Sequence, residues 1–423
     1  MTDHAAPRAA KPVVLIVIDG LTPSMLEATD APALRFLLEH GSYRRAASTF
    51  PSLTPVCLAS IATGGHPDVH GIPHLVWWNR SEDRLVEYGS SFAALRASGL
   101  VQGLRDTVVN LNERHLLRSA ETVYEALEGA GLTTAAINIT TYRGRHRHIS
   151  PIPGFPPVHG PKRFFFYSVY ESDKTGAPIA WLNRSLGSID GYAAAIGRWL
   201  VTRDGFDLLV YYLPDYDYAS HALGPDAAYE ALGRADASIE ALFDAAGGRD
   251  TFLERYAVVL CSDHGQAPVE QATRLEVDGA LVVASNRAAM LYGDDPRRLA
   301  EALDGEPAVD VALFLENGEV VARREGDEDL AILDDYPDGR ARAEGALRNP
   351  NAGEVLLSAA PGWEFADLGG SSHSGGGSHG ALAAPDSEVP MLTVGIDGIT
   401  PASITDVKSL LLAHFGLAVA RAA

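Results

Sequence analysis

Ser262-Asp263-His264-Gly265 sets a carboxylate and an imidazole side by side, directly after the apolar run Ala257 to Leu260. A short run of this kind reads as a buried central strand, and open α/β sheets bind ligands at the carboxyl ends of their strands. Asp beside His at such a point offers two metal ligands on rigid backbone. The same residues also suit a plain turn, in which Ser, Asp and Gly end the strand and His is incidental. Other apolar runs repeat the arrangement. Val13-Val-Leu-Ile-Val-Ile18 stops at Asp19-Gly20, and Phe206 to Leu213 stops at Pro214-Asp-Tyr-Asp-Tyr-Ala-Ser-His221. Asp217 and His221 are four apart, so a single helical turn would point both at one ion. Asp215 does not share that geometry with His221.

Ser48 to Gly64 supplies a candidate nucleophile. Thr54 followed by Pro55 reads as an N-cap and a first helical position, opening a helix of small residues that ends near Gly64. A hydroxyl there sits over backbone N–H groups at the positive end of the helix dipole, a natural phosphate site. For a Thr-Pro pair taken alone, capping is the better explanation. Gly369 to Gly380 has the composition of a flexible linker, yet it carries His373 and His379 on backbone that can approach an ion closely. His66, His70 and His74 mimic the spacing of a metal cluster, but Pro67, Gly71 and Pro73 break any helix that would align them. Those histidines are expected in loops. Thr140 to His148 concentrates Arg143, Arg145 and Arg147 after a strand; it either steers an anion into a cleft or forms a solvated basic loop.

Asp19, Thr54, Asp217, His221, Asp263, His264 and His379 thus recur at separate places, several of them strand ends. They comprise carboxylate, imidazole and hydroxyl with no thiolate. That set suits two borderline divalent ions of the zinc type in a hydrolytic site.

The elements that must position these residues follow from the hydrophobic pattern. Residues 24 to 39 read as a helix interrupted at Ala31-Pro32, Glu121 to Leu132 as an amphipathic helix, and Thr133 to Ile139 as the next strand. Helices are expected over Ile189 to Leu200 and Ala227 to Ala245, and irregular surface structure with short helices over residues 77 to 118. After Gly265 the pattern changes to short strands around a helix from Pro296 to Leu303. Met391 to Ile396 then returns as a strand and Ile404 to Phe415 closes as a helix. The expectation is an α/β core over residues 12–270 and 355–418, with a mostly parallel sheet covered on both faces, and a small α+β insertion over residues 271–354.

Composition sets limits. The chain has 423 residues, is 46% hydrophobic and 21% charged, and carries a formal net charge of −21. That balance argues against a dedicated nucleic-acid or anionic-membrane surface. Two cysteines, each in an apolar context, make no disulfide framework. Val13 to Ile18 is too short for a signal peptide or a membrane span, so a cytoplasmic location is expected, with residues 1 to 11 as a loose tail.

The chain resembles the nucleotide pyrophosphatase/phosphodiesterases of the alkaline phosphatase superfamily from Val13 to about Gly380. The carriers are Ile18-Asp19-Gly20, Phe50-Pro51-Ser52-Leu53-Thr54, Thr63-Gly64, Pro67 and His70-Gly71-Ile72, followed by Asp217-x-x-x-His221-x-x-Gly224-Pro225, Ser262-Asp263-His264-Gly265 and Gly377-Ser378-His379-Gly380. The resemblance implies an alkaline-phosphatase-like sandwich and a small phosphate-ester or nucleotide substrate. It implies one zinc on Asp19, Asp263, His264 and Thr54, and a second on Asp217, His221 and His379, with manganese as the other candidate metal. Thr54 would attack phosphorus, giving a phosphothreonine that water hydrolyses. The family also places an Asn shortly after His-Gly-Ile to hold a phosphoryl oxygen. Here the matching stretch reaches Asn79 late, and His74 is the substitute; Arg143 and Arg145 are the other candidate substrate contacts. A phosphomonoesterase or phosphomutase of the same superfamily is the alternative enzyme, and a metal-binding protein without turnover the alternative class. A sulfatase would need a modifiable Cys or Ser followed by x-Pro-x-Arg, which Cys57-Leu-Ala-Ser-Ile61 is not.

Overall fold

Every side chain of the strand Val13–Ile18 is buried, and successive ones serve different layers. Val14, Ile16 and Ile18 pack with Leu34, Ile196 and Leu242, whereas Val13, Leu15 and Val17 pack with Leu58, Leu127 and Leu411. That is why the run is continuously apolar rather than alternating: helices cover both faces of its sheet. This computed structural model describes residues 10–175, 188–398 and 400–417. Residues 1–9 of the expected tail lie outside them.

The central sheet has eight strands, in the order Ser42–Ala47, Glu388–Val394, Ala257–Cys261, Val13–Ile18, Leu208–Leu213, Thr134–Ile137, Arg163–Phe166 and Tyr170–Glu171. From Ala257–Cys261 to Arg163–Phe166 the neighbours run parallel. Glu388–Val394 is antiparallel to both its neighbours, and Tyr170–Glu171 turns back on Arg163–Phe166. The mostly parallel α/β sandwich read from the sequence is therefore the fold. Its register decides where chemistry sits: Val17 pairs with Cys261, and Ile18 with Leu213. Asp19, Asp263 and the Asp215–Leu223 helix consequently leave adjacent strands at one edge.

The helices follow the sequence pattern. The interrupted segment forms Pro23–Ala28 and Pro32–His40, and a capping box of Thr122 and Glu125 opens Val123–Gly129. The helix Thr54–Thr63 is buried at every position after Thr54. Cys57, Leu58 and Ile61 pack toward the central sheet, while Val56 and Ala59 meet Val283, Met290 and Leu313 of a second sheet. Pressed between two sheets, it has room for small side chains, and truncating fully buried Leu58 to Ala would cost about 2–5 kcal/mol.

The second sheet has six strands, Leu281–Ser285, Ala288–Tyr292, Val355–Ala359, Val309–Glu316, Glu319–Arg324 and Asp327–Glu328. It takes in Val355–Ala359, which the sequence reading assigned to the core, because that strand pairs on one side with Ala288–Tyr292 and on the other with Val309–Glu316. Residues 77 to 118 are more regular than expected: a hairpin of Val76–Asn79 and Arg84–Glu87 buries Trp77, and a π-helix spans Asp106–His115. Among the described residues no helix is long and apolar enough to cross a membrane.

Candidate active site

Three histidines gather at the carboxyl edge of the central sheet, and each spends its Nδ1 on a backbone carbonyl. His221 donates to Gly377 at 2.8 Å, His264 to Gly265 at 2.9 Å and His379 to Ser52 at 2.7 Å. These bonds turn each Nε2 inward, the arrangement that orients metal-ligating imidazoles. His264 Nε2 lies 3.2 Å from Asp19 Oδ1 and 3.5 Å from Asp263 Oδ2. His221 Nε2 lies 3.4 Å from Asp217 Oδ2, and His379 Nε2 3.8 Å from Asp217 Oδ1. Asp217 and His221 share one face of the Asp215–Leu223 helix, as their spacing requires.

Two sets of ligand atoms lie within 4.8 Å of one another: Asp19, Asp263 and His264, and Asp217, His264 and His379. His264 therefore sits between both sets, and His221 joins through Asp217, a closer interleaving than the separate ligand groups implied by the resemblance. The donors fit divalent cations. Asp19 Oδ1 and Asp263 Oδ2 are buried without a hydrogen bond and share the single His264 imidazole at 3.2 and 3.5 Å, too little compensation for two buried carboxylates without a further cation.

The protein without metal relieves this crowding through protons. Burial raises the Asp263 and Asp19 carboxyls, and each is raised further by an acidic neighbour. Burial disfavours the His264 imidazolium, but Asp263, Asp19 and Asp217 outweigh it and raise His264 to about 10. Burial also opposes ionisation of Asp217, yet His221, His379 and His264 hold its carboxyl well below the usual range. His379, buried next to cationic His264, is held far below its ordinary value.

Thr54 stands at the first position of its helix rather than at the N-cap, which is Leu53, and no side chain caps that end. The Thr54 hydroxyl instead lies 3.0 Å from His264 Nε2. Capping thus does not explain this threonine; it faces the metal-ligand cluster from the positive end of a helix dipole.

Close packing holds the cluster. A Cβ on Gly20, at φ 68°, would meet Asp217 Oδ1 at 2.9 Å. A Cβ on Gly376 would fall 2.0 Å from the His221 carbonyl, so the glycine-rich stretch is a tightly seated loop rather than a linker. Fully buried Arg342 donates to Thr49 O, Ser52 Oγ, Ser387 Oγ and Leu382 O, tying the segment before Thr54 to the segment after His379. Tyr212 donates its hydroxyl to Asp19 Oδ2, and Gln266 Nε2 donates to Asp217 Oδ1 at 2.5 Å. Sequence reasoning passed over Arg342, Tyr212 and Gln266. Tyr212 and Gln266 had a signal, being next to strand ends already flagged; Arg342 had none.

The cluster floors a pocket of about 370 Å³, walled by Leu75, Tyr88, Leu95, Phe166 and Tyr218, with Asn286 at its edge. The expected substrate contacts, Arg143, Arg145, His74 and Asn79, lie elsewhere. Arg143 is buried and donates to the carbonyls of Leu116, Leu117 and Ala120 and to Glu125, holding a loop together. Arg145 faces Glu121 and lines a separate cleft with Lys408. His74 is buried between Ala288 O and Val76 N. Asn79 Oδ1 accepts from Ser81 N and Glu82 N, as a turn residue does. His70 packs on Ser60, and His373 pairs with Glu364 at 2.6 Å.

Solved structures of similar fold carry the same architecture. Murine ectonucleotide pyrophosphatase/phosphodiesterase 5 matches with 14% identity and a TM-score of 0.65, covering 96% of each chain. The human form matches with 15% identity and a TM-score of 0.66, over 97% of this chain and 96% of that one. Phosphonoacetate hydrolase from Sinorhizobium meliloti 1021, solved with phosphonoformate, matches with 19% identity and a TM-score of 0.63, covering 96% of each. Among curated protein sequences no match was found. The family described as type I phosphodiesterase / nucleotide pyrophosphatase matches residues 13–382. The chain belongs to that family, and with it to the metal-dependent phosphoric ester hydrolases of the alkaline phosphatase superfamily.

Proposed function

We propose that this protein hydrolyses phosphodiester or pyrophosphate bonds, with Thr54 as the nucleophile and two divalent ions held by Asp19, Asp217, His221, Asp263, His264 and His379. The observation that carries this reading is the Thr54 hydroxyl, uncommitted to capping and 3.0 Å from His264 Nε2 inside a ring of buried carboxylates. The imidazole and carboxylate donors favour zinc, with manganese second. When bound, such ions lower the pKa of a hydroxyl and neutralise charge on phosphoryl oxygens.

Thr54 Oγ1 forms the bond to phosphorus as the bond to the leaving oxygen breaks, and water then displaces Thr54 from phosphorus. Tyr212 and Gln266 hold Asp19 and Asp217 in place while charge shifts between these states. Leu75, Leu95 and Phe166 form an apolar wall beside the reacting centre.

Charge counting sets the preference. Two divalent cations bring +4; Asp19, Asp217, Asp263 and the Thr54 alkoxide bring −4, leaving a site near neutral. No Lys or Arg is among the described residues lining the pocket. A dianionic monoester gains little there, whereas a monoanionic diester asks less. A phosphomonoesterase or phosphomutase would need an added cation. Comparing kcat/KM on bis(p-nitrophenyl) phosphate and p-nitrophenyl phosphate tests the assignment, with the diester expected to win; a clear preference for the monoester would overturn it.

A further inference from the structure

Asn286 comes from outside the elements that carry the metal-ligand cluster. It is the first residue of the two-residue loop joining Leu281–Ser285 to Ala288–Tyr292, in the second sheet. Its φ of 58° is a conformation asparagine tolerates, so the turn alone accounts for an Asn or a Gly here. The turn does not account for where the carboxamide goes. Asn286 is buried, lines the pocket above Thr54, and places Nδ2 3.3 Å from His379 Nε2.

The polarity of that contact is determined by its neighbours. His379 gives its Nδ1 proton to Ser52 O, which leaves a lone pair on Nε2. Asn286 Oδ1 accepts from Ser285 Oγ at 2.9 Å, which leaves its N–H group facing the imidazole. The loop cannot drift away from this position. Arg287 N donates to His379 O, Phe365 N donates to Asn286 O, and Arg287 forms a buried 2.8 Å ion pair with Asp386.

We infer that Asn286 contacts substrate, donating its amide N–H to a phosphoryl oxygen held beside His379. Once the Nε2 lone pair is committed to a metal, the amide loses its acceptor, and a buried donor without a partner is unfavourable. The oxygen of a bound phosphoryl group restores the bond. Asn286 provides the only carboxamide among the described residues lining the pocket, no Lys or Arg lines it, and the anchored loop makes the amide a fixed donor for charge on that oxygen. On this inference, the second sheet completes the active site instead of merely covering it.

The inference rests on the phosphodiesterase reading, and the test separates the two. Asn286→Gly keeps the turn and removes the amide; Asn286→Asp keeps the shape and replaces the donor with a carboxylate. Both variants, loaded with zinc, are expected to lose about a hundredfold in kcat on bis(p-nitrophenyl) phosphate. Orthovanadate binding, measured by calorimetry, should weaken by a similar factor, with zinc content by elemental analysis unchanged. Native turnover and vanadate affinity in Asn286→Gly would overturn the inference. Loss of zinc from that variant would also overturn it, because Asn286 would then only support His379. If the unmodified protein hydrolyses no phosphodiester, the phosphodiesterase reading fails, and the vanadate comparison still decides the role of Asn286.

Discussion

His264 and His379 lie face to face, with ring centroids 3.6 Å apart and planes 9° from parallel. Two buried imidazoles this close do not both carry charge: in the protein without metal, the surrounding carboxylates raise His264 to about 10, and His379, buried beside it, is held well below its ordinary value. The pair joins the strand-end motif to the glycine-rich loop, and it sets the two groups of ligand atoms on either side of His264.

Protein purified without chelator is expected to carry about two divalent ions per chain, predominantly zinc. EDTA should abolish activity and lower the melting temperature, since the crowded carboxylates lose their compensating cations. Elemental analysis and calorimetry check both. Activity retained in EDTA by a protein without stoichiometric zinc, manganese or iron would end the two-metal reading.

Thr54→Ala should lower kcat by about a thousandfold or more, while folding and most metal binding persist because the Thr54 side chain caps nothing. Thr54→Ser should retain much more of the rate. Near-native turnover in the alanine variant, measured alongside its zinc content, would remove Thr54 from the mechanism.

The histidines of the glycine-rich loop should separate cleanly. His379→Ala is expected to lose an ion, because Nε2 of His379 faces Asp217. His373→Ala should keep both, since His373 pairs with Glu364 and stacks on the outer side of His221, with centroids 4.0 Å apart. Metal content of the two variants decides the point, and loss from His373→Ala alone would reverse the assignment.

Glu87 makes stability depend on pH away from the metal ligands. Burial raises its carboxyl from 4.5 to about 7, against hydrogen bonds from Ser90 and Gly89 that favour the charged form. A carboxyl whose folded pKa lies above its unfolded one contributes stability that is complete below about 4.5 and lost as pH rises through about 7. The loss is on the order of 3 kcal/mol. Glu87→Gln, neutral at every pH, should flatten that segment of the curve. Urea titrations from pH 5 to 8 read it, and an identical slope in both proteins would show that Glu87 does not titrate there.

The strand ends were legible in the sequence because a sheet covered on both faces needs unbroken apolar runs, so Asp19 and Asp263 stand out as the first polar residues after them. Asp217 and His221 were legible for the same kind of reason, since helical spacing alone puts them on one face. Local pattern also marked Thr54, but it mistook the position for a cap. Only the fold shows that the hydroxyl, 210 residues from His264 in sequence, turns toward that imidazole. Arg143, Arg145, His74 and Asn79 went the other way: their residue types suit anion binding, and their partners are loop carbonyls, surface acids and turn amides. A polar side chain's role depends on which groups the folded chain brings within about 3 Å, and sequence neighbours do not specify them. Arg342 and Asn286 are the clearest cases. Each reaches the site from the second sheet and its helices, and only the packing of that layer over the helix Thr54–Thr63 decided that either would be there.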